Sequence, residues 1–521
     1  MAGPTGLENP TTSVARMADE RASTAEVALA AAAVAAGLTF RFWTTSHLWL
    51  DEALSVNIAK LPLRDIPDAL RHDGHPPLYY VVLHFWMRAF GDGDVAVRSL
   101  SGFFALATLP LAWVAAKLAG GRRVAVVMVA LLALSPFAVR YGTEARMYAL
   151  VMVLVLVGYI LVVKALVQPR FVLLAGVAVD VGLLVLSHYW AVWLIVAVVT
   201  VLALRAWHNH DARPATVRVL IAAVVGGIAL VPWLPVMAYQ SAHTGTPWAA
   251  PVRPVTIVTN ALADFGGGGY GEAVFMGSVL LMLFVLGLCG VAAGGTRVSL
   301  DFRSVPGVRR EAAVVALTVA IASAVGYATH TTFASRYASA VLPLFVIVCA
   351  VGLTRIDSRT ASALALAALL AFGVVGSVHA AITERTQAYD VSRAIIAEAH
   401  PNDLVVMCPD QIGPDLNRLL PSHIAQVVYP TFGDPRFVDW RDYEKRNAAA
   451  DPAAFADEVV KRAETLGAPS VWLASSPDYK TLEGQCEALT AALGKRIPNA
   501  TQVTKDDSAF FEHEALFRFQ R

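Results

Sequence analysis

The chain has 521 residues, of which 56% are hydrophobic and only 16% charged, against about 25% charged in an ordinary soluble domain. Its net charge of +1 gives no sign of a nucleic-acid partner. The apolar residues gather in blocks of roughly 18–22, the length that crosses about 30 Å of hydrocarbon, and the blocks stop near residue 384. One membrane domain (27–383) followed by one water-soluble domain (384–521) is therefore expected.

Residues 1–26 are small and polar and read as a disordered tail rather than a cleavable signal peptide. Eleven spans are expected near 26–43, 97–118, 123–139, 147–167, 171–187, 190–206, 216–237, 273–294, 312–329, 336–353 and 361–382. Alternate loops hold Arg122 and Arg123, Lys164 and Arg170, Arg205, Arg213 and Arg218, Arg297, Arg303, Arg309 and Arg310, then Arg355 and Arg359. The opposite short loops hold only Arg140, Arg146, Arg253 and Arg336. Basic loops stay in the cytoplasm, so the N-terminus is expected inside and the C-terminal domain outside. The segment 44–96, the turns at 140–146, 187–190 and 330–336, and the loop 238–272 then share the outer face. They hold nearly all the unusual polar residues of the membrane half, which argues for one functional site there.

The first outer loop, 44–96, is more than a linker. Residues 51–60 and 66–71 have amphipathic helical spacing, and 78–90 reads as a helix lying in the membrane interface, anchored by Tyr79, Tyr80 and Trp86. Asp51 and Glu52 follow the first span. On their own they would read as a helix N-cap and a first-turn acid.

Several strings, taken in order, give the pair another meaning: Asp51-Glu52; His75-Pro76-Pro77-Leu78-Tyr79-Tyr80; Val97-Arg98-Ser99-Leu100; Glu144-Ala145-Arg146-Met147-Tyr148; Ser187-His188-Tyr189-Trp190; and Ser335-Arg336-Tyr337 with Pro343. Across roughly 27–355 the chain resembles the GT-C superfamily of glycosyltransferases. The nearest likeness is the protein O-mannosyltransferase branch and its bacterial relatives, the lipid A aminoarabinose transferases. The resemblance implies a polytopic α-helical membrane protein of about eleven transmembrane helices, here followed by a soluble α/β domain. It also implies a polyprenyl-phosphate sugar donor and an inverting mechanism. The sequence holds no P-loop or dinucleotide fingerprint to contradict it.

Transfer from such a donor needs a base for the acceptor hydroxyl and cations for the departing phosphate. Partial burial brings a carboxylate's proton affinity toward the working pH. By the resemblance Asp51 is the base, and Glu52 orients the acceptor or a neighbouring side chain. Glu144 is a second candidate acid, or the partner of Arg146 or Arg140. Arginine's planar fork suits phosphate, which singles out Arg146 and Arg336, with Arg140 behind them. His75, His188 and His330 are candidate donors to phosphate or sugar hydroxyls. Tyr80 and Tyr189 are candidates to stack on the sugar or line the lipid groove, or else to anchor at the interface. No cofactor is assigned. A divalent cation stays open, although there is no HExxH motif and no close carboxylate cluster to hold one. The Gly run Gly266-Gly267-Gly268-Gly269 reads as a flexible cover.

In the tail, 391–400, 452–466 and 481–494 read as helices, and 403–408, 425–429, 470–474 and 510–519 as strands, which suggests a small α/β sandwich with a mainly parallel sheet. Cys408 and Cys486 lie in this tail and would pair in an oxidising compartment, or stay as buried thiols. The expected function is transfer of mannose, or next arabinose, to an envelope glycan, glycolipid or protein at a bacterial plasma membrane. A lipid transporter or flippase and a non-catalytic envelope scaffold are the alternatives.

Overall fold

The computed structural model describes residues 21–247, 249, 252–302, 308–329, 331–477 and 479–521. They form two compact units, one of Met1–Thr44, Arg98–Trp233 and Pro251–Ala381, the other of Thr45–Val97, Leu234–Ala250 and Ile382–Arg521.

The first unit is helical and carries the membrane spans. Seven helices among the described residues are at least 18 residues long and apolar enough to cross a bilayer: Asp94–Ala133, Tyr148–Val167, Ala191–His208, Arg213–His243, Gly271–Cys289, Arg309–Ala328 and Arg359–Ile382. Shorter apolar helices cover Thr24–Phe40, Phe171–Ser187 and Leu342–Thr354. The protein is thus a multi-pass membrane protein, and each of the eleven expected segments falls on helix. The expected pair 97–118 and 123–139 is the Asp94–Ala133 run, broken where Gly120 and Gly121 leave helical geometry. Gly121 has φ +86°, a conformation a side chain would oppose. The second rod ends at Ala133 and not at 139, because Pro136 cannot continue it. Instead Ser135 caps a new short helix, Pro136–Gly142.

Two buried arginines tie this unit together. Arg41, 1% exposed, donates to the carbonyls of Gly37 (2.9 Å), Leu132 (2.9 Å), Ala133 (2.6 Å) and Ala105 (3.3 Å). It thereby satisfies the last carbonyls of two helices. On the basic-loop side Arg123 pairs with Glu26 at 3.1 Å and donates to the carbonyls of Thr354 and Ile356. Glu26 also accepts from Ser23 and Ser362. The Ser23 and Glu26 side chains form a capping box that starts the helix at Thr24, so 24–26 belong to the first span rather than to the expected tail. Residues 1–20 lie outside the described residues.

The second unit joins the first outer loop to the C-terminal residues, whereas the sequence division at 383–384 left that loop with the membrane domain. The reason is a shared core. Trp49 and Leu50 are buried with Leu404, Val406, Cys408, Phe455, Val459, Leu489 and Leu493. Hydrogen bonds join the same segments, Asn57 to the Arg436 carbonyl at 2.9 Å and Trp440 N–H to the His72 carbonyl at 3.0 Å. The loop carries helices Leu50–Lys60, Ile66–Asp73 and Leu78–Phe90. In the last of these Tyr79 and Tyr80 are 1% and 0% exposed, so they are core residues and not the expected interfacial anchors. Phe85 and Phe90 face outward instead.

The sheet of this unit has five strands in the order Ala425–Val428, Leu404–Cys408, Ser470–Ser475, Ala515–Gln520, Asn499–Thr504. The first three are parallel, and Ala515–Gln520 pairs antiparallel with both Ser470–Ser475 and Asn499–Thr504, so the sheet is mixed where a mainly parallel one was expected. Alternate side chains feed opposite layers. Leu404, Val406 and Cys408 meet Phe455, Val459 and Leu489 of helices Pro452–Leu466 and Gln485–Arg496. Val405 and Met407 meet Val391, Ile395 and Leu416 of helices Ala388–Glu398 and Gly413–Leu419. Cys408 and Cys486 are disulfide-bonded, while Cys289 and Cys349 are free and buried.

Candidate active site

In the membrane unit the sequence-selected residues of 140–148, 187–190 and 335–337 gather in one region. The Ser335–Ala340 turn brings Ser335 onto Asp264, to whose carboxylate its hydroxyl donates. Arg140 lies close enough to Glu144, Asp264 and Arg336 for each to bias its charge, and Asp264 close enough to Arg140 and Arg336. Burial pushes the Asp264 carboxyl up, and the Ser335 hydroxyl with Arg140 and Arg336 only partly offsets this. Glu144 and Arg146 are buried at 0% and 2% exposure, and the Arg146 carbonyl accepts from Ser101 at 3.1 Å. The Arg336 guanidinium lies 6.0 Å from the centre of the Tyr337 ring.

Rings line the same region. Tyr141 meets Tyr148 at 4.9 Å, Tyr148 meets His188 at 5.8 Å, and His188 meets Tyr337 at 5.0 Å between centroids. Trp190 stacks on Tyr337 at 5.3 Å and meets Phe333 edge-on. His188 Nδ1 accepts from the Trp190 backbone N–H at 3.2 Å, which places the proton of the neutral ring on Nε2. The Tyr189 hydroxyl accepts from Trp233 Nε1 at 2.7 Å, so Tyr189 is tied to the neighbouring segment. His330 lies outside the described residues. Asp264 was missed by sequence reasoning, although one acid near the end of the apolar Pro254–Gly266 helix was a readable signal.

In the second unit Asp51 and Glu52 occupy the first turn of the Leu50–Lys60 helix. The N-cap is Trp49 and makes no side-chain cap, so Asp51 does not play the capping role that its sequence position alone suggested. The two acids differ in surroundings. Glu52 is fully buried and pairs with Arg385 at 3.4 Å; Asp51 is half-buried. His75 and Tyr80 converge on Asp73, His75 Nδ1 at 3.0 Å and the Tyr80 hydroxyl at 2.5 Å. Tyr80 thus holds Asp73 from inside the core, and Asp73-Gly74-His75 ahead of two prolines was the overlooked signal. Among the described residues, no group of three or more His, Cys, Asp or Glu is arranged to hold a metal ion.

Burial raises four acids of the C-terminal domain. Burial pushes Asp410 up to about 6, against the Tyr443 hydroxyl and Arg446, and Asp415 up to about 7, against its bond from Thr386. Glu512 and Glu514 are raised by burial and by Asp415, and Glu512 also by the Asp51 charge. The native state therefore holds more protons than the unfolded chain between about pH 4 and 7, and stability falls as pH rises through that window. Asp439 works the other way. Although burial opposes it, bonds from His72 and Arg441 hold its carboxyl well below the usual range, so its stabilisation is lost only in strong acid. Thermal melts should place this domain on the order of a few kcal/mol more stable at pH 5 than at pH 8; a flat profile would mean these acids are solvated.

The model of the dolichyl-phosphate-mannose-protein mannosyltransferase family matches residues 74–239. No curated protein matches the sequence. The fold is similar to that of ArnT from Cupriavidus metallidurans. The apo structure gives a TM-score of 0.60 at 13% identity, covering 94% of this chain and 97% of that one. The structure bound to undecaprenyl phosphate gives 0.57 at 12% identity with the same coverage. Residues 74–239 thus match that mannosyltransferase family, and the chain shares the ArnT fold over nearly its whole length.

Proposed function

We propose that the protein moves a sugar from a polyprenyl-phosphate donor to a hydroxyl of an envelope glycan, glycolipid or protein, with Asp51 as general base. The observation that carries this reading is the division of labour in the acid pair. Glu52 is buried on Arg385, while its neighbour Asp51 keeps partial exposure at the start of the same helix. Two adjacent carboxylates in two environments are suited to two tasks. The ArnT structure that contains undecaprenyl phosphate supports the donor class.

The chemistry follows from the groups. The acceptor hydroxyl attacks the anomeric carbon and gives its proton to Asp51. The bond from that carbon to the phosphate oxygen breaks, its electron pair stays on the oxygen, and polyprenyl phosphate leaves. Attack opposite the leaving group inverts the anomeric centre. Arg336 and Arg140, beside Asp264, supply fixed positive charge for the phosphate as its charge grows. Glu144, buried beside Arg140, holds it from the core, Arg146 is a further cation for the phosphate, and His188 offers an Nε2–H donor to phosphate or sugar.

Mannose is the first candidate sugar, which the matched family's name supports, and arabinose the second. The basic-loop pattern supports an N-terminus in the cytoplasm and a C-terminal domain outside, and the Cys408–Cys486 disulfide suits an oxidising compartment. The high Ala, Val and Arg content supports a bacterial plasma membrane. The test is to offer purified protein polyprenyl-phosphate mannose and polyprenyl-phosphate arabinose with a fractionated envelope extract. Labelled product from one donor is expected; none from either, with a protein that binds undecaprenyl phosphate, would overturn the sugar assignment.

A further inference from the structure

The Leu50–Lys60 helix begins without a cap of its own. Its N-cap is Trp49, whose side chain makes no cap hydrogen bond. An acceptor arrives instead from more than 450 residues away, as Glu512 Oε2 takes the Leu50 N–H at 3.0 Å, |i−j| being 462. Glu512 is 3% exposed, and a carboxyl is a costly group to bury for a bond that solvent or a serine could have made.

The same residue reaches the second acid of the pair through its backbone. Glu512 N–H donates to the Arg385 carbonyl at 2.8 Å, and its carbonyl accepts from Gln387 N–H at 2.9 Å. Arg385 then pairs with Glu52, and its own N–H is held by the Ser46 hydroxyl at 2.9 Å. One residue earlier, Phe511 packs edge-on against Trp49 at 5.5 Å and 86°. Residues 511 and 512 therefore grip 49 and 50 directly and 52 through Arg385, which leaves Asp51 on a turn fixed on both sides.

We propose that Glu512 is a positioning residue for the transfer reaction, a cap supplied by the C-terminal domain that sets the first turn of the Leu50–Lys60 helix and so aims Asp51. This rests on the reading of Asp51 as the base. The domain is on this account part of the catalytic mount rather than an appendage. Glutamine keeps an oxygen for the Leu50 N–H; alanine does not.

The experiment compares full-length wild type, Glu512→Gln, Glu512→Ala, Leu50→Pro and Asp51→Asn in the transfer assay, with thermal melts of each. Glu512→Ala is expected to lose about 10- to 100-fold in kcat, with the donor KM within about twofold. Glu512→Gln should stay within about threefold of wild type. Leu50→Pro removes the same bond from its other end. Proline is tolerated at the first helical position, and Trp49 at φ −89°, ψ 174° already has the extended backbone a following proline requires. Should Glu512→Ala fail to fold, Leu50→Pro carries the test and should show the same kcat loss. Wild-type kcat in a folded Glu512→Ala or Leu50→Pro, or a Glu512→Gln as slow as Glu512→Ala, overturns the positioning role. An active Asp51→Asn sinks the base reading itself; an inactive Asp51→Asn beside a fully active Glu512→Ala sinks only this proposal.

Discussion

Replacing Asp51 with asparagine is expected to lower turnover by about 100- to 10,000-fold, the usual contribution of a positioned general base. Asparagine keeps the shape and hydrogen-bonding reach of the carboxylate but cannot take the acceptor's proton. The mount should survive, because Glu52 stays on Arg385 and the Leu50 N–H stays on Glu512. Donor binding, followed by titration with undecaprenyl phosphate, should move by no more than about twofold, since the lost interaction belongs to the transition state. Glu52→Gln should behave differently. It leaves Arg385 buried beside a neutral group, so the loss should show in stability as well as in turnover. Thermal melts and kcat measured together separate the two cases.

The second large effect is expected at Arg336. Removing a preorganised charge from the departing phosphate costs about 100- to 1,000-fold in kcat/KM, so Arg336→Ala should fall in that range with a raised donor KM. Arg336→Lys should recover only part of it, because an ammonium is a point charge and cannot present a planar fork to two phosphate oxygens. Arg336 is also bound into its surroundings through Tyr337 and the Asp264 region. The control is therefore Ser335→Ala, which removes the hydroxyl held by Asp264 and leaves the guanidinium in place. It should cost less than either arginine variant. A Ser335→Ala as damaged as Arg336→Ala would move the effect from phosphate binding to the geometry of the turn.

What could be read from the sequence was what length and local order encode. Spans are legible because an apolar helix must reach across the hydrocarbon, and the expected segments fall on helix from Thr24 to Ile382. The break at Gly120–Gly121 was readable as two spans because arginines follow it directly. The acid pair and the 144–148, 187–190 and 335–337 strings were readable because each is a compact polar word at an apolar border. Partners were not legible. Arg385 and Glu512 lie 333 and 462 residues from the groups they hold, and nothing local in either stretch announces the contact. Tyr79 and Tyr80 misled, since an aromatic-rich helix too short to span reads as interfacial until a partner core covers it. The outer strand of the sheet was hidden for a different reason. Asn499–Thr504 is an exposed edge strand of mostly polar residues, without the apolar alternation that reveals a strand.

The most direct test of the central claim is transfer by purified wild-type protein and Asp51→Asn, side by side, from a polyprenyl-phosphate sugar and from the corresponding nucleotide sugar, into an envelope extract. The account predicts product from the lipid-linked donor alone, formed by wild type and all but abolished in Asp51→Asn. Product from the nucleotide sugar, or movement of the lipid across the bilayer with no sugar transferred, would contradict it.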